Sequence, residues 1–111
     1  MNKKVKSLWV NALRSGKYKR CTAQLKKEDG FCCLGVLCDL HARRFKKTWN
    51  GEQYLSEDSE LPEDVIEWAG LSAADPQLNP NRAVDLSTAT HYNDKSRYSF
   101  NKIADLIEKN L

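Results

Sequence analysis

Ten consecutive residues, Phe31-Cys32-Cys33-Leu34-Gly35-Val36-Leu37-Cys38-Asp39-Leu40, form the one long apolar run of this 111-residue chain. Nothing between Cys32 and Cys38 is charged or amphipathic. A helix that is apolar on every side is a buried one. The run is too short to cross a bilayer, which takes about 20 apolar residues. The remaining segments must therefore wrap around it, and a central helix over about 31–43 is predicted. Gly35 costs a helix interior roughly 1 kcal/mol against Ala, which is tolerable where a second backbone packs closely over it. Asp39, His41, Arg43 and Arg44 bring the helix to the surface. The two arginines suit the negative end of its dipole.

A chain of this length is expected to be a single domain, 1–111, able to bury a modest core. Three Trp, three Phe and four Tyr join the aliphatic residues in building it. The N-terminus Met1-Asn2-Lys3-Lys4 leads into an amphipathic pattern rather than the apolar stretch of a signal peptide. A cytosolic location is expected, in which the four cysteines stay reduced.

Val5, Leu8, Trp9, Ala12 and Leu13 lie on one helical face, and Gly16 is suited to end that helix, so 3–15 is predicted helical. Cys21, Ala23 and Leu25 alternate with polar residues, which predicts a strand over 20–25. Glu28-Asp29-Gly30 is a turn. Asn50-Gly51 within 48–55 is a two-residue hairpin signal, and that hairpin is expected to pair with the 20–25 strand. Pro62 followed by Glu63 and Asp64 opens a helix that Gly70 closes, about 62–69, with Val65, Trp68 and Ala69 facing the core. Residues 71–82 read as loop. The stretch 84–93 is ambiguous, since Ser87, Thr88 and Thr90 are weak helix formers, and Asn93-Asp94-Lys95-Ser96 reads as a turn. Ser99 caps a last helix, 100–110, with Phe100, Ile103, Ala104, Ile107 and Leu111 on one face. The expected fold class is α+β, mainly helical: about four helices around the buried one, with a small antiparallel sheet.

Charge divides the chain. Residues 1–47 hold 13 Lys and Arg against 3 acids, while residues 48–111 hold 5 against 12. Either the halves attract each other, with Arg20, Arg43 and Arg44 pairing with Glu57, Asp58 and Glu60, or the first half offers a basic face to a phosphate-bearing partner. Arg14, Lys17, Lys19, Arg20, Arg43 and Arg44, with Tyr18 and Trp49 beside them, are the candidate ligand-binding residues. Cations bind phosphates, and aromatic rings stack on bases. Phe45 lies among the same cations but is read as core.

Other constellations are weaker. Cys38 and His41 stand one helical turn apart, and Cys21, Cys32 or Cys33 could complete a zinc site, yet no Cys-x-x-Cys knuckle is present. The cysteines are read as small core residues, with no metal and no cofactor. A thiol near Cys32 at a helix N-terminus would have a lowered pKa, with His91 and Asn93 or Asp94 as base and orienter, but no hydrolase signature surrounds them. The segments 85–93 and 99–110 have the lengths of a helix-turn-helix, but the second offers Asn101, Lys102, Asp105, Glu108 and Lys109, nearly neutral and poorly suited to a major groove. Glu63 and Asp64 are neighbours on a helix and serve as dipole partners rather than a catalytic pair. No phosphate-cradling Gly-rich loop or dinucleotide fingerprint is present.

Several blocks together carry a resemblance: Trp9-Val10-Asn11-Ala12-Leu13-Arg14-Ser15-Gly16, Phe31 to Leu40, Leu61-Pro62 with Val65 and Trp68-Ala69-Gly70-Leu71, Asn93-Asp94, and Ser99-Phe100 with Ile103-Ala104-Asp105. In their order the chain resembles a group of small bacteriophage and prophage proteins. It departs from that pattern at Lys95-Ser96-Arg97, where a glycine is expected. The resemblance implies a phage accessory role in a bacterial host cytoplasm and carries over no catalytic residue. The expected function is non-enzymatic binding in counter-defence: sequestration of a nucleotide-type anion, such as an immune signal. The alternatives are a protein–protein inhibitor of a host defence or regulatory enzyme, nucleic-acid binding, and a cysteine hydrolase. No membrane partner is expected, and homo-oligomerisation is left open.

Overall fold

The computed structural model describes residues 1–111. The apolar run becomes helix α2, Cys33–Phe45, in which every residue from Cys33 to Cys38 is buried, as are His41 and Ala42. Gly35 has the reason the sequence required. A Cβ built there would lie 1.8 Å from the carbonyl oxygen of Leu25, so that backbone crosses directly over the helix. The Leu25 carbonyl accepts the Cys32 N–H, and the Leu25 N–H reaches the Asp58 carbonyl at 2.7 Å.

Helix α1, Lys3–Arg14, packs its Val5, Trp9, Val10 and Leu13 face inward, capped by the Asn2 side chain at the Val5 N–H. The Trp9 indole donates to the Cys33 carbonyl at 2.9 Å, which gives a buried N–H its partner and ties α1 to α2. Helix α4, Phe100–Asn110, lies along α1 and buries Ile103, Ala104 and Ile107, with Ser99 capping the Lys102 N–H. Helix α3, Glu63–Ala69, buries Val65 and Ala69 and ends at Gly70 in the left-handed conformation. No helix is long and apolar enough to cross a membrane.

The fold class is α+β and mainly helical, with a sheet of three two-residue strands: β1 (Lys19–Arg20), β2 (Lys26–Lys27) and β3 (Gly30–Phe31). The strand order is β1-β3-β2, and the pairing is mixed, with β1 parallel and β2 antiparallel to β3. The single strand expected over 20–25 is not formed. The chain leaves β1, turns through Ala23 at φ 70°, and sends Leu25 under α2. The backbone of Leu25 is already committed to Cys32 and Asp58 and takes no strand partner. The Asn50-Gly51 turn is present, closed by reciprocal bonds between Asn50 and Gln53 of 2.9 and 3.0 Å. It does not join the sheet, because Leu55 and Ser56 have positive φ and fold the chain into a second tight turn, Tyr54 to Glu57.

The stretch 84–93 is neither a regular helix nor the first half of a helix-turn-helix. A 3-10 turn, Val84–Leu86, is followed by a π-helical turn, His91–Lys95, so the expected turn over 93–96 lies largely inside a wound segment. Ser87 is buried, and its hydroxyl donates to the Ala83 carbonyl. The Leu78 N–H bonds to the Ser87 carbonyl, and the Ala89 N–H to the Pro76 carbonyl. Bonds to the neighbouring loop compete here with a helical ladder.

Candidate functional site

Asp39 is the first residue of helix α2 that is not fully buried, and its side chain is 14% exposed. Its carboxylate gathers three donors from three segments. The Tyr18 hydroxyl donates to Oδ2 at 2.7 Å, Arg43 Nε donates to the same oxygen at 3.0 Å, and the Trp49 indole donates to Oδ1 at 3.1 Å. Burial by itself would push the Asp39 carboxyl up; the hydrogen bonds from Tyr18, Arg43 and Trp49 outweigh it and hold the pKa below the usual value. Burial, and then the Asp39 carboxylate, push the Tyr18 phenol up to about 12, so it remains a donor at neutral pH.

Phe31 of β3 stands beside this hub, edge-on to Tyr18 with ring centroids 5.3 Å apart and edge-on to Trp49 at 5.7 Å. The Lys26 ammonium sits 5.5 Å from the Phe31 ring centre and 5.4 Å from that of Trp49. A cavity of about 500 Å3 opens between α1, α2 and the loop before β1. Tyr18, Phe31 and Leu40 are its apolar walls, Asn11 supplies an amide and Asp39 a carboxylate, Ser15 donates its hydroxyl to the Ala12 carbonyl at 2.6 Å, and Lys17 and Arg43 are its cations. Arg43 is anchored through Nε alone, which leaves both Nη groups without a partner in the chain.

Of the residues singled out from sequence, Lys17, Tyr18 and Arg43 meet in this cavity, and Trp49 stands behind it through Asp39. The others are dispersed. Arg14 bridges α1 to Asp105 and Glu108 of α4 at 2.7 and 3.2 Å. Lys19 lies 3.5 Å from Asp29. Arg20 turns inward, donating from Nη2 to the Asn93 carbonyl, with its buried Nε unpartnered. Arg44 lies over the Phe45 ring, 5.1 Å from its centre. None of the arginines pairs with Glu57, Asp58 or Glu60, and Arg14 alone links the basic half to the acidic half by ion pairs. Sequence reading missed Asp39, along with Asn11, Ser15 and Phe31. The available signal was the spacing of Asp39 and Arg43, an i,i+4 pair of opposite charge following the apolar run.

The cysteines are free thiols. Cys32 is the N-cap of α2, its sulfur accepting from the Gly35 N–H at 3.4 Å. The lowered pKa expected at such a helix end is not found: burial dominates and pushes the thiol up to about 12. Burial raises Cys33 and Cys38 as well. His41, one turn from Cys38, meets the Tyr54 hydroxyl at 2.5 Å through Nδ1. No group of three or more His, Cys, Asp or Glu side chains converges as a metal site would require.

Neither the curated proteins nor the solved structures contain a match to this chain. A family model does match, and it spans residues 1–111: the chain belongs to the family described as Domain of unknown function (DUF8296).

Proposed function

We propose that the protein binds a nucleotide-type anion in the Asp39 cavity, without turnover. The observation that carries this reading is the pairing of two cations, Lys17 and Arg43, with an aromatic wall of Tyr18 and Phe31 in one cavity of about 500 Å3. That volume falls within the range of about 300–1,000 Å3 typical of small-molecule sites. The free Nη edge of Arg43 suits bidentate contact with a phosphate. Tyr18 and Phe31 suit a base, and Asn11 and the Asp39 carboxylate can meet the donors and acceptors of its edge. Asp39 has a second effect: it holds Arg43 in place, so less side-chain entropy is lost on binding. Taken with the resemblance to phage and prophage proteins, the proposed role is sequestration of a nucleotide signal during counter-defence in a bacterial host cytoplasm.

Isothermal titration with mono-, di- and cyclic nucleotides, supported by native mass spectrometry, tests the reading. One class of nucleotide should bind saturably. Arg43→Ala should weaken it about ten- to hundredfold, the loss of one charge-assisted hydrogen bond of about 1.5–3 kcal/mol. The absence of heat and of a mass adduct with every nucleotide class would overturn it.

A further inference from the structure

A second cavity, about 570 Å3, opens where the end of α2 meets α3, and its chemistry is opposite to that of the first. His41, Phe45 and Trp68 form its aromatic floor, with Asp64, Glu67 and Lys47 around them. The ring centroids are 4.7 Å apart for His41 and Phe45, 5.3 Å for His41 and Trp68, and 6.0 Å for Phe45 and Trp68. The three rings support one another at tilted or edge-on angles, and Phe45, read from sequence as core, is 41% exposed.

Asp64 and Glu67 are exposed and take part in no ion pair. Just before them in sequence come Glu57, Asp58, Glu60 and Glu63, which equally take part in no ion pair. His41 is 4% exposed, and while its Nδ1 meets Tyr54, its Nε2 has no partner within the chain. Nε2 is an acceptor in the tautomer in which Nδ1 donates to Tyr54, and a donor in the other. Aromatic faces and unpaired carboxylates are together what a guanidinium group needs: a surface to stack on and acceptors for its N–H fork. The chain itself provides a small example, since Arg44 already lies over the Phe45 ring.

We infer that this cavity is a docking site for an arginine side chain on a basic segment of a partner protein. The charge complementarity selects the occupant. A phosphate-bearing ligand would meet Asp64 and Glu67, with Lys47 as the one cation among the lining residues. A basic segment can place one arginine on the aromatic floor, against the carboxylates of Asp64 and Glu67. Such a surface goes beyond nucleotide binding and is independent of the Asp39 cavity, with which it shares no lining residue.

The test is a two-dimensional amide and indole NMR titration of the full chain with the peptide acetyl-Gly-Arg-Gly-Arg-Gly-amide. Saturable shifts should centre on Phe45, Asp64, Glu67 and the Trp68 indole. The double substitution Asp64→Asn with Glu67→Gln, at exposed unpaired positions, should weaken binding at least tenfold, and Phe45→Ala should do the same. The control Asp85→Asn, an exposed acid elsewhere, should leave it unchanged. Non-saturating shifts spread along residues 57–67, an equal loss with the control, or no shift at all would overturn the inference. Shifts of the same residues on raising protein concentration without peptide would also overturn it, because the occupant would then be a second copy of this chain.

Discussion

The side-chain oxygen of Asn93 accepts the backbone N–H of Cys33 at 3.1 Å, so a residue sixty positions downstream closes the first turn of the central helix. The same amide donates to the Cys21 carbonyl at 3.0 Å and to Asp94 at 2.8 Å, while the Asn93 carbonyl takes the Arg20 guanidinium. Asn93 is fully buried within the π-helical turn, an irregularity that re-aims side chains. It joins three segments that have little regular structure between them.

Asn93→Ala should therefore cost about 2–4 kcal/mol, since it leaves a buried N–H and a part-buried carbonyl without the amide that binds them. Urea unfolding reads this as a lowered midpoint with an unchanged slope. A midpoint within error of the parent protein would show that the amide is not a structural junction.

Gly35→Ala sets helix propensity against packing. Propensity alone favours alanine by about 1 kcal/mol. Packing forbids it, since the new Cβ would fall 1.8 Å from the Leu25 carbonyl, a backbone atom with its own bonds to keep. The expected outcome is a lower melting temperature by circular dichroism, or no folded protein. A raised melting temperature would mean that Leu25 yields.

Acid should act through Asp39. Its folded pKa lies below the ordinary value of 3.8, so the folded state favours the carboxylate. The stability this contributes is present above the unfolded pKa and is lost as pH falls through the folded value. Asp39→Asn removes that dependence. The stability gap between the parent protein and the variant should be largest near neutral pH and shrink toward pH 3, as read by urea unfolding along a pH series. A constant gap would contradict the assignment.

Thiol chemistry should separate the cysteines by burial. Burial pushes the Cys32 thiol up to about 12 and raises Cys33 and Cys38 too, whereas Cys21 is half-buried. Iodoacetamide at pH 8 should label at most Cys21 in the folded protein, slowly because burial raises this thiol also, and all four in denaturant. Fast native labelling of Cys32 would revive a nucleophile at this helix end.

The helices were legible because their causes are local. The apolar face of 3–13, the Gly16 stop, the Pro62 to Gly70 punctuation and the Ser99 cap each act within a dozen residues, and α1, α3 and α4 begin and end within a residue or so of the expected positions. The apolar run from Cys32 to Cys38 likewise required burial wherever the chain placed it. The path of Leu25, the π-helical turn and both cavities depend on partners farther apart in sequence: Leu25 with Asp58, Asn93 with Cys33, Tyr18 with Asp39, Phe45 with Trp68. Composition showed that cations and aromatics share the first half of the chain. Which of them meet was decided by hydrogen-bond satisfaction in the folded interior, where Asp39 drew Tyr18, Arg43 and Trp49 together and Arg20 turned inward to Asn93. A local pattern can specify a helix, because its bonds close four residues away; it cannot specify the partner of a buried carboxylate, which is fixed only when distant segments exclude water around it.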